Sequence, residues 1–570
     1  MLKNNIICIL TTILILFAFN AKAQDIEQVA KAPILTTNGG VSLNQIGKYS
    51  TKNNAEDPYS YYLSGNINAN VFGVISFPFS FAFTNNKITT SLPQPFNRFS
   101  MSPSYKWITT HIGYASMSFS PYTLSGHDFL GGGVELTPNE SIKISAMYGR
   151  LNRSINPDTT GREPSFRRMG GGLKIDYMNK KIDASINVFK AKDDINSIEF
   201  EKNDSIIIKP QDNFTGSIKI NLKLIKNLSI TTEYAASFLN HDISKSQSSN
   251  IIVDNSGDMS YYYALKSSIT QTSKLGQIGA SYERVSPNYK TLGAYYFNND
   301  FENITANFNT SIKKCINIGM DVGYQRDNLN GQKVNSNSRL IYSGNINTRI
   351  NKRLNIGVNV SNLKSYVHIT DIYDKLTQTN QFQNLDTLNF TRLDLTTSSN
   401  VSYIIKASKK QRQNINMTFT YQKASEQQGD DKRYTGSEIY NTSLSYLFSI
   451  IPQRLNISTT LNYNRNEMPK MKMNVGSINL SIQKALFGNI KTALTATYSK
   501  SANTKETLSD IVNIRLSGGY SIKKKHNINL NVAILNNSGI QGHKTMYSVN
   551  LSYNYMFSII VKRKETKFNF

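Results

Sequence analysis

Five stretches of this chain run from a short, usually basic turn through alternating apolar and polar residues to a tyrosine, at 228–234, 316–324, 415–421, 455–463 and 490–498. In the fourth, Leu455, Ile457, Thr459, Leu461 and Tyr463 share one face of an extended strand, while Asn456, Ser458, Thr460 and Asn462 share the other. One face suits hydrocarbon and the other suits water. A strand rises about 3.3 Å per residue, so eight steps tilted near 40° climb roughly 20 Å, close to the apolar band of about 25 Å that a spanning barrel presents to lipid. The tyrosine then stands at headgroup depth, its ring in the apolar layer and its hydroxyl in water. The pattern predicts an all-β chain folded as a transmembrane antiparallel β-barrel.

The first residues read as a secretory signal: Lys3, an apolar run over 6–19, and Ala21-Lys22-Ala23 ahead of a cut at Gln24. Beyond it no run of about 18 apolar residues occurs, so no spanning helix is expected. The 33 glycines and 14 prolines are spread thinly, without linkers, which favours one continuous architecture over a string of soluble domains. The expected organisation is a signal peptide over 1–23, a periplasmic lead over 24–38, the barrel over 39–557 and a periplasmic tail over 558–570.

The formal net charge of +26 is dispersed over predicted turns, as at 179–181, 351–353, 409–412 and 523–526. Dispersed turn cations suit anionic headgroups, each attraction being worth about 1 kcal/mol near a charged surface. The partners expected are therefore outer-membrane lipid and lipopolysaccharide, with envelope proteins as further candidates and no nucleic acid. Cys8 falls in the signal and Cys315 stands beside Lys313 and Lys314, so no intramolecular disulfide is expected.

Short turns belong to the periplasmic end of such barrels and fix the phase of the chain. Twelve are predicted, near Gly73, Thr109, Pro138, Lys180, Lys226, Lys274, Lys314, Lys352, Lys410, Pro452, Gly488 and Lys524. They imply about 24 to 26 strands, the larger number if a strand near Gly39 ascends before the rest. The last strand alternates most clearly, from Thr545 through Tyr547, Val549, Leu551, Tyr553 and Tyr555 to Phe557. Between residues 84 and 133, Pro93, Pro95, Pro103, Pro121 and the triple Gly131, Gly132 and Gly133 break the alternation, leaving a segment there free to fold inward. The apolar run 292–297 is read as part of an outer loop, because an extra strand would reverse the phase of every later turn.

The segments 118–136 (SFSPYTLSGHDFLGGGVEL) and 292–305 (LGAYYFNNDFENIT) resemble large, functionally uncharacterised outer-membrane β-barrel proteins of Gram-negative bacteria. That resemblance implies fold and outer-membrane location and carries no activity with it.

Alternation turns Lys143, Arg168, Lys174, Asp176, Asp183, Glu233, Asp321, Arg349, Asp394 and Arg515 toward the lumen, since an Arg or Lys facing lipid at mid-depth costs about 2 to 4 kcal/mol. Such charges can set selectivity, or can be a solvated, mutually paired wall. His127 and Asp128, in the irregular stretch, are candidates for a plug or loop role. The histidines form no close ligand pair and no HExxH, Ser125 near His127 and Asp128 makes no triad by sequence alone, and Gly131 to Gly133 lack the lysine and helix of a phosphate loop. Asp371, Asp374 and Asp386 have no EF-hand spacing. No cofactor, metal or catalytic residue is expected. The function expected is a channel or transport pore for polar solutes or polymers, with a structural or assembly component of an envelope complex as the alternative.

Overall fold

The computed structural model describes residues 32–562 apart from 52–57, 86–96, 157–163, 200–207, 226, 245–258, 296, 314, 333–337, 363–364, 369–389, 426–435, 469–470, 488–489, 504–506 and 541. The signal segment, Pro93, Pro95, Asp371, Asp374 and Asp386 lie outside the described residues, as does the side chain of Asp394.

The wall is one closed antiparallel sheet of 26 strands. It closes where the first strand, Leu35–Ser50, pairs with the last, Gly542–Val561, from Leu35 opposite Val561 to Ser50 opposite Met546. Closure leaves no edge strand, so the ladder of backbone N–H and C=O groups is paired around the whole ring, as an apolar surround demands. Two wall strands are broken. Arg98–Met101 and Ser104–Tyr105 both bridge Ile75–Thr84 to Ile108–Ser116 across the break at Ser102 and Pro103, and Leu354–Ser361 with Ser365–His368 both pair with Phe390–Ala407.

Successive strands meet within a few residues of each of the twelve expected turns, those near Thr109 and Pro138 being displaced to 106–107 and 140–141, while Lys226, Lys314 and Gly488 themselves lie outside the described residues. Between Thr507–Ile522 and His526–Gly539, Lys523 and Lys524 both have positive φ, at 50° and 59°, and the Lys525 N–H donates to the Ile522 carbonyl at 3.0 Å. This is the two-residue turn whose twist matches the strands it joins, although it costs two lysines a left-handed conformation that glycine takes more readily. Phe72 and Gly73 make the equivalent turn after Tyr59–Val71.

The outward face carries the apolar residues. Leu461, Ile478, Leu494, Ile514, Leu530 and Val549, on six consecutive strands, are each between 44% and 48% exposed, with neighbours of the same kind above and below. Such a continuous apolar surface is far larger than a soluble monomer presents. Tyr234, Tyr282, Tyr324, Tyr463 and Tyr498 share that face toward the ends remote from the tight turns.

Candidate functional site: the inner wall and its inward segments

Two connections at the end opposite the tight turns, 117–127 and 286–300, turn back inside the ring. Eight wall strands separate them and they still meet, which only the concave side of the sheet allows. Leu124–Ser125 pairs in parallel with Gly293–Ala294, and the Thr291 hydroxyl donates to the Thr123 carbonyl at 2.5 Å. Pro121 and Gly126, the latter at φ 64°, allow the sharp reversal that a continuous strand forbids.

Apolar packing and buried polar bonds fix these segments to one sector of wall. Met117, Phe119 and Leu124 pack with Leu292 against Phe129, Met147, Leu151, Phe189 and Ala191. Tyr122 and Tyr289 pack with Ala235, Ala264 and Val285, and Phe297 covers them. Each fully buried Leu or Phe contributes about 1.5–3 kcal/mol toward offsetting the cost of ordering these segments. A methyl built on Gly172 would stand 2.7 Å from Phe119, so glycine is what lets that ring lie against the sheet.

Two carboxylates from the wall receive the inward chain. Glu233, in Leu228–Asn240, is 5% exposed and accepts from the hydroxyls of Ser120 and Ser217. Glu283, in Gly276–Val285, accepts from the Tyr122 hydroxyl at 2.6 Å and pairs with Lys266 at 3.2 Å. Burial, reinforced by Glu283, raises the Tyr122 hydroxyl pKa far above the phenol range and keeps it a donor. Burial and Glu233 do the same for Tyr289, which donates to the Tyr122 carbonyl at 2.8 Å.

These contacts define which side of each strand faces inward and so locate the charges selected from the sequence. Lys143 is 2.8 Å from Glu135, Arg168 holds Asp193 with two bonds of 2.7 and 3.0 Å, Lys174 is 3.4 Å from Asp176, and Asp183 is 2.8 Å from Lys223. Glu233 stands between Lys219 and Lys266 in the strand register. Asp321 accepts from Ser343 at 2.7 Å, and Arg349 ends Ser338–Arg349. Arg515 lies at mid-strand on the same face as Asn513 and Ser517, far along the ring from the others. The charges thus form no ring. Those between residues 135 and 285 sit in one sector as neighbouring opposite pairs, a juxtaposition across strands that periodicity alone cannot reveal.

His127 and Asp128 mark the return of the first inward segment to the wall. His127 is 3% exposed and stacks on Tyr295 with centroids 4.1 Å apart. Its Nδ1–H donates to the Asp128 carbonyl at 2.7 Å, and burial pushes the imidazole pKa down to about 4, Arg168 acting in the same direction against that hydrogen bond. The Asp128 N–H donates to the Tyr295 hydroxyl at 3.3 Å, and Arg98 lies 3.4 Å from the Asp128 carboxylate. Nearby, a recess of about 520 Å³ is bounded by Arg168, Asp193, Lys209, Gln211 and His241. Among the described residues no group of three or more His, Cys, Asp and Glu side chains is placed to hold a metal ion.

No family model matches the chain, and no curated protein matches it. The P pilus usher PapC translocation pore is similar at 10% identity and a TM-score of 0.36, over 92% of this chain and 99% of that one. The ferric enterobactin receptor PfeA of Pseudomonas aeruginosa is similar at 11% identity and a TM-score of 0.44, over 91% and 80%. The anion-selective porin from Comamonas acidovorans is similar at 13% identity and a TM-score of 0.27, over 53% and 94%. What fixes the assignment is the closed wall itself, apolar outside and polar within. This chain is an outer-membrane β-barrel.

Proposed function

We propose that the barrel is a channel or transport pore for polar solutes or polymers. The observation that carries this is the mismatch between the ring and what enters it. With strands about 4.8 Å apart and tilted near 40°, 26 staves close a circle roughly 50 Å across between backbones. Among the described residues the inward segments are short and both lie against the sector between residues 108 and 312, so they narrow the passage from one side. That opposite wall presents Asn, Ser and Thr, as in Asn456, Ser458, Thr460 and Asn462 or Asn550, Ser552 and Asn554.

Lys143, Arg168, Lys174, Asp176, Asp183, Glu233, Asp321, Arg349 and Arg515 would line the path, the opposite pairs as a polar surface with little net field and Arg515 as a mid-wall cation further round the ring. His127 and Asp128 would hold the inward unit in place. Such a role requires no chemistry of bond making. Lipid and lipopolysaccharide surround the barrel in this reading, which leaves its two ends for envelope proteins.

Planar-bilayer conductance of the purified protein tests the proposal. Discrete current steps, enlarged when 117–127 is replaced by a short Gly-Ser linker, are expected. Electrical silence in both forms, together with a stoichiometric envelope protein that co-purifies, would replace the pore with an assembly platform.

A further inference from the structure

Just beyond the outer tyrosines, on the lipid face, Glu302 lies between two arginines. Arg284 lies 3.3 Å from Oε1, which also accepts from the Tyr282 hydroxyl, and Arg326 bonds Oε2. Arg284 also donates from Nε to the Tyr263 hydroxyl at 3.0 Å. The carboxylate side chain is 14% exposed, whereas those of Arg284 and Arg326 are 28% and 57% exposed. The acid is therefore an internal brace, and the cluster offers one uncompensated positive charge on two oriented guanidinium forks.

Its place in the wall is specific. Tyr282, Ile304 and Tyr324 stand one step toward the periplasm on the same three strands, and Ala280, Ala306, Val322, Phe308 and Met320 continue the column below. Ile304, Val322 and Met320 are 61%, 43% and 48% exposed. A cationic fork at headgroup depth above an apolar column is complementary to an amphiphile with an anionic head and acyl tails. A related cluster occurs where Glu467, two steps beyond Tyr463 on the same face, lies between Arg465 of its own strand and Lys472 of the next.

We infer that Arg284 and Arg326, braced by Glu302, form a binding site for the phosphorylated headgroup of an outer-leaflet glycolipid, whose acyl chains lie along the Ile304 and Val322 column. This rests on the outer-membrane location and is independent of whether the lumen conducts. The guanidinium groups bond the phosphate oxygens in pairs, a geometry that ammonium groups do not reproduce.

Native mass spectrometry of detergent-purified protein tests the site, with lipid A and its dephosphorylated form as probes. Lipid A is expected to remain bound about tenfold more than the dephosphorylated lipid, and Arg284→Gln/Arg326→Gln to lower it to the dephosphorylated level. Heat-modifiable gel migration reports whether the variant closes its barrel. Should the pair of changes prevent closure, Arg326→Gln alone, at the more exposed position, is expected to lower binding severalfold. Millimolar inorganic phosphate should not displace the lipid, because the tails contribute independently. Equal retention of both lipids, undiminished binding by the closed variant, or displacement by free phosphate would each overturn the inference.

Discussion

The Tyr122 hydroxyl donates to Glu283 across 161 residues of chain, tying the first inward segment to a wall strand eight places beyond the one it leaves. Hydrogen bonds to charged groups contribute about 1.5–3 kcal/mol, and their loss falls on the inward unit alone. Tyr122→Phe should speed amide exchange of 117–127 about tenfold or more while exchange of the wall strands stays unchanged, as hydrogen-exchange mass spectrometry would read.

Parallel pairing of Leu124–Ser125 with Gly293–Ala294 brings backbone against backbone, and a methyl on Gly293 would stand 2.5 Å from the Thr123 carbonyl oxygen and 3.1 Å from the Leu124 Cα. Neither neighbour is a flexible side chain. Gly293→Ala should therefore part the two segments at a cost of about 1–3 kcal/mol and expose Thr123 and Leu124 to limited proteolysis, with a barrel that still migrates as folded.

Acid should loosen the same unit through His127. Its pKa is about 6.5 unfolded and about 4 when stacked on Tyr295, so the neutral form is favoured by the fold. That contribution is complete above pH 6.5, declines as pH falls through the interval to about 4, and amounts to about 3 kcal/mol in all. Exchange protection of 117–127 should weaken across that window, and His127→Gln should flatten the dependence. Asp128, Tyr295, Arg98 and Arg168 surround the ring and must be intact in the comparison.

Adjacent residues of one strand should respond oppositely to charge. Ile514 is 48% exposed on the apolar face at mid-strand, while Asn513 faces inward beside Arg515. Ile514→Arg should cost about 2–4 kcal/mol in urea-driven unfolding from vesicles, and Asn513→Arg less than about 1 kcal/mol.

Most of the wall was legible because it depends on local signals. Basic tight turns and alternation placed the twelve short connections to within a few residues and thereby the phase of the strands. The interruption by Pro103, Pro121 and Gly131 to Gly133 marked the neighbourhood of the first inward segment. Its partner was harder to see. The run beginning at Leu292 was expected within an outer loop, and it does join two strands at that end, but it turns into the barrel and packs on Phe189 and Leu124. The available signal was an apolar run, with Leu292 and Tyr295, in a loop that water would otherwise surround. The pairing of Lys143 with Glu135 or Arg168 with Asp193 depends on register between strands, so single-strand periodicity gave each side chain a face without giving it a neighbour.

The central claim is that lipid coats one face of each strand and water the other. Spin labels placed singly at residues 511–517 in reconstituted protein, with Cys315→Ser removing the one free thiol among the described residues, test it directly. Labels replacing Val512, Ile514 and Leu516 should relax fastest with oxygen, and those replacing Ile511, Asn513, Arg515 and Ser517 with a water-soluble nickel chelate. Seven labels that all prefer the same relaxant would contradict the account.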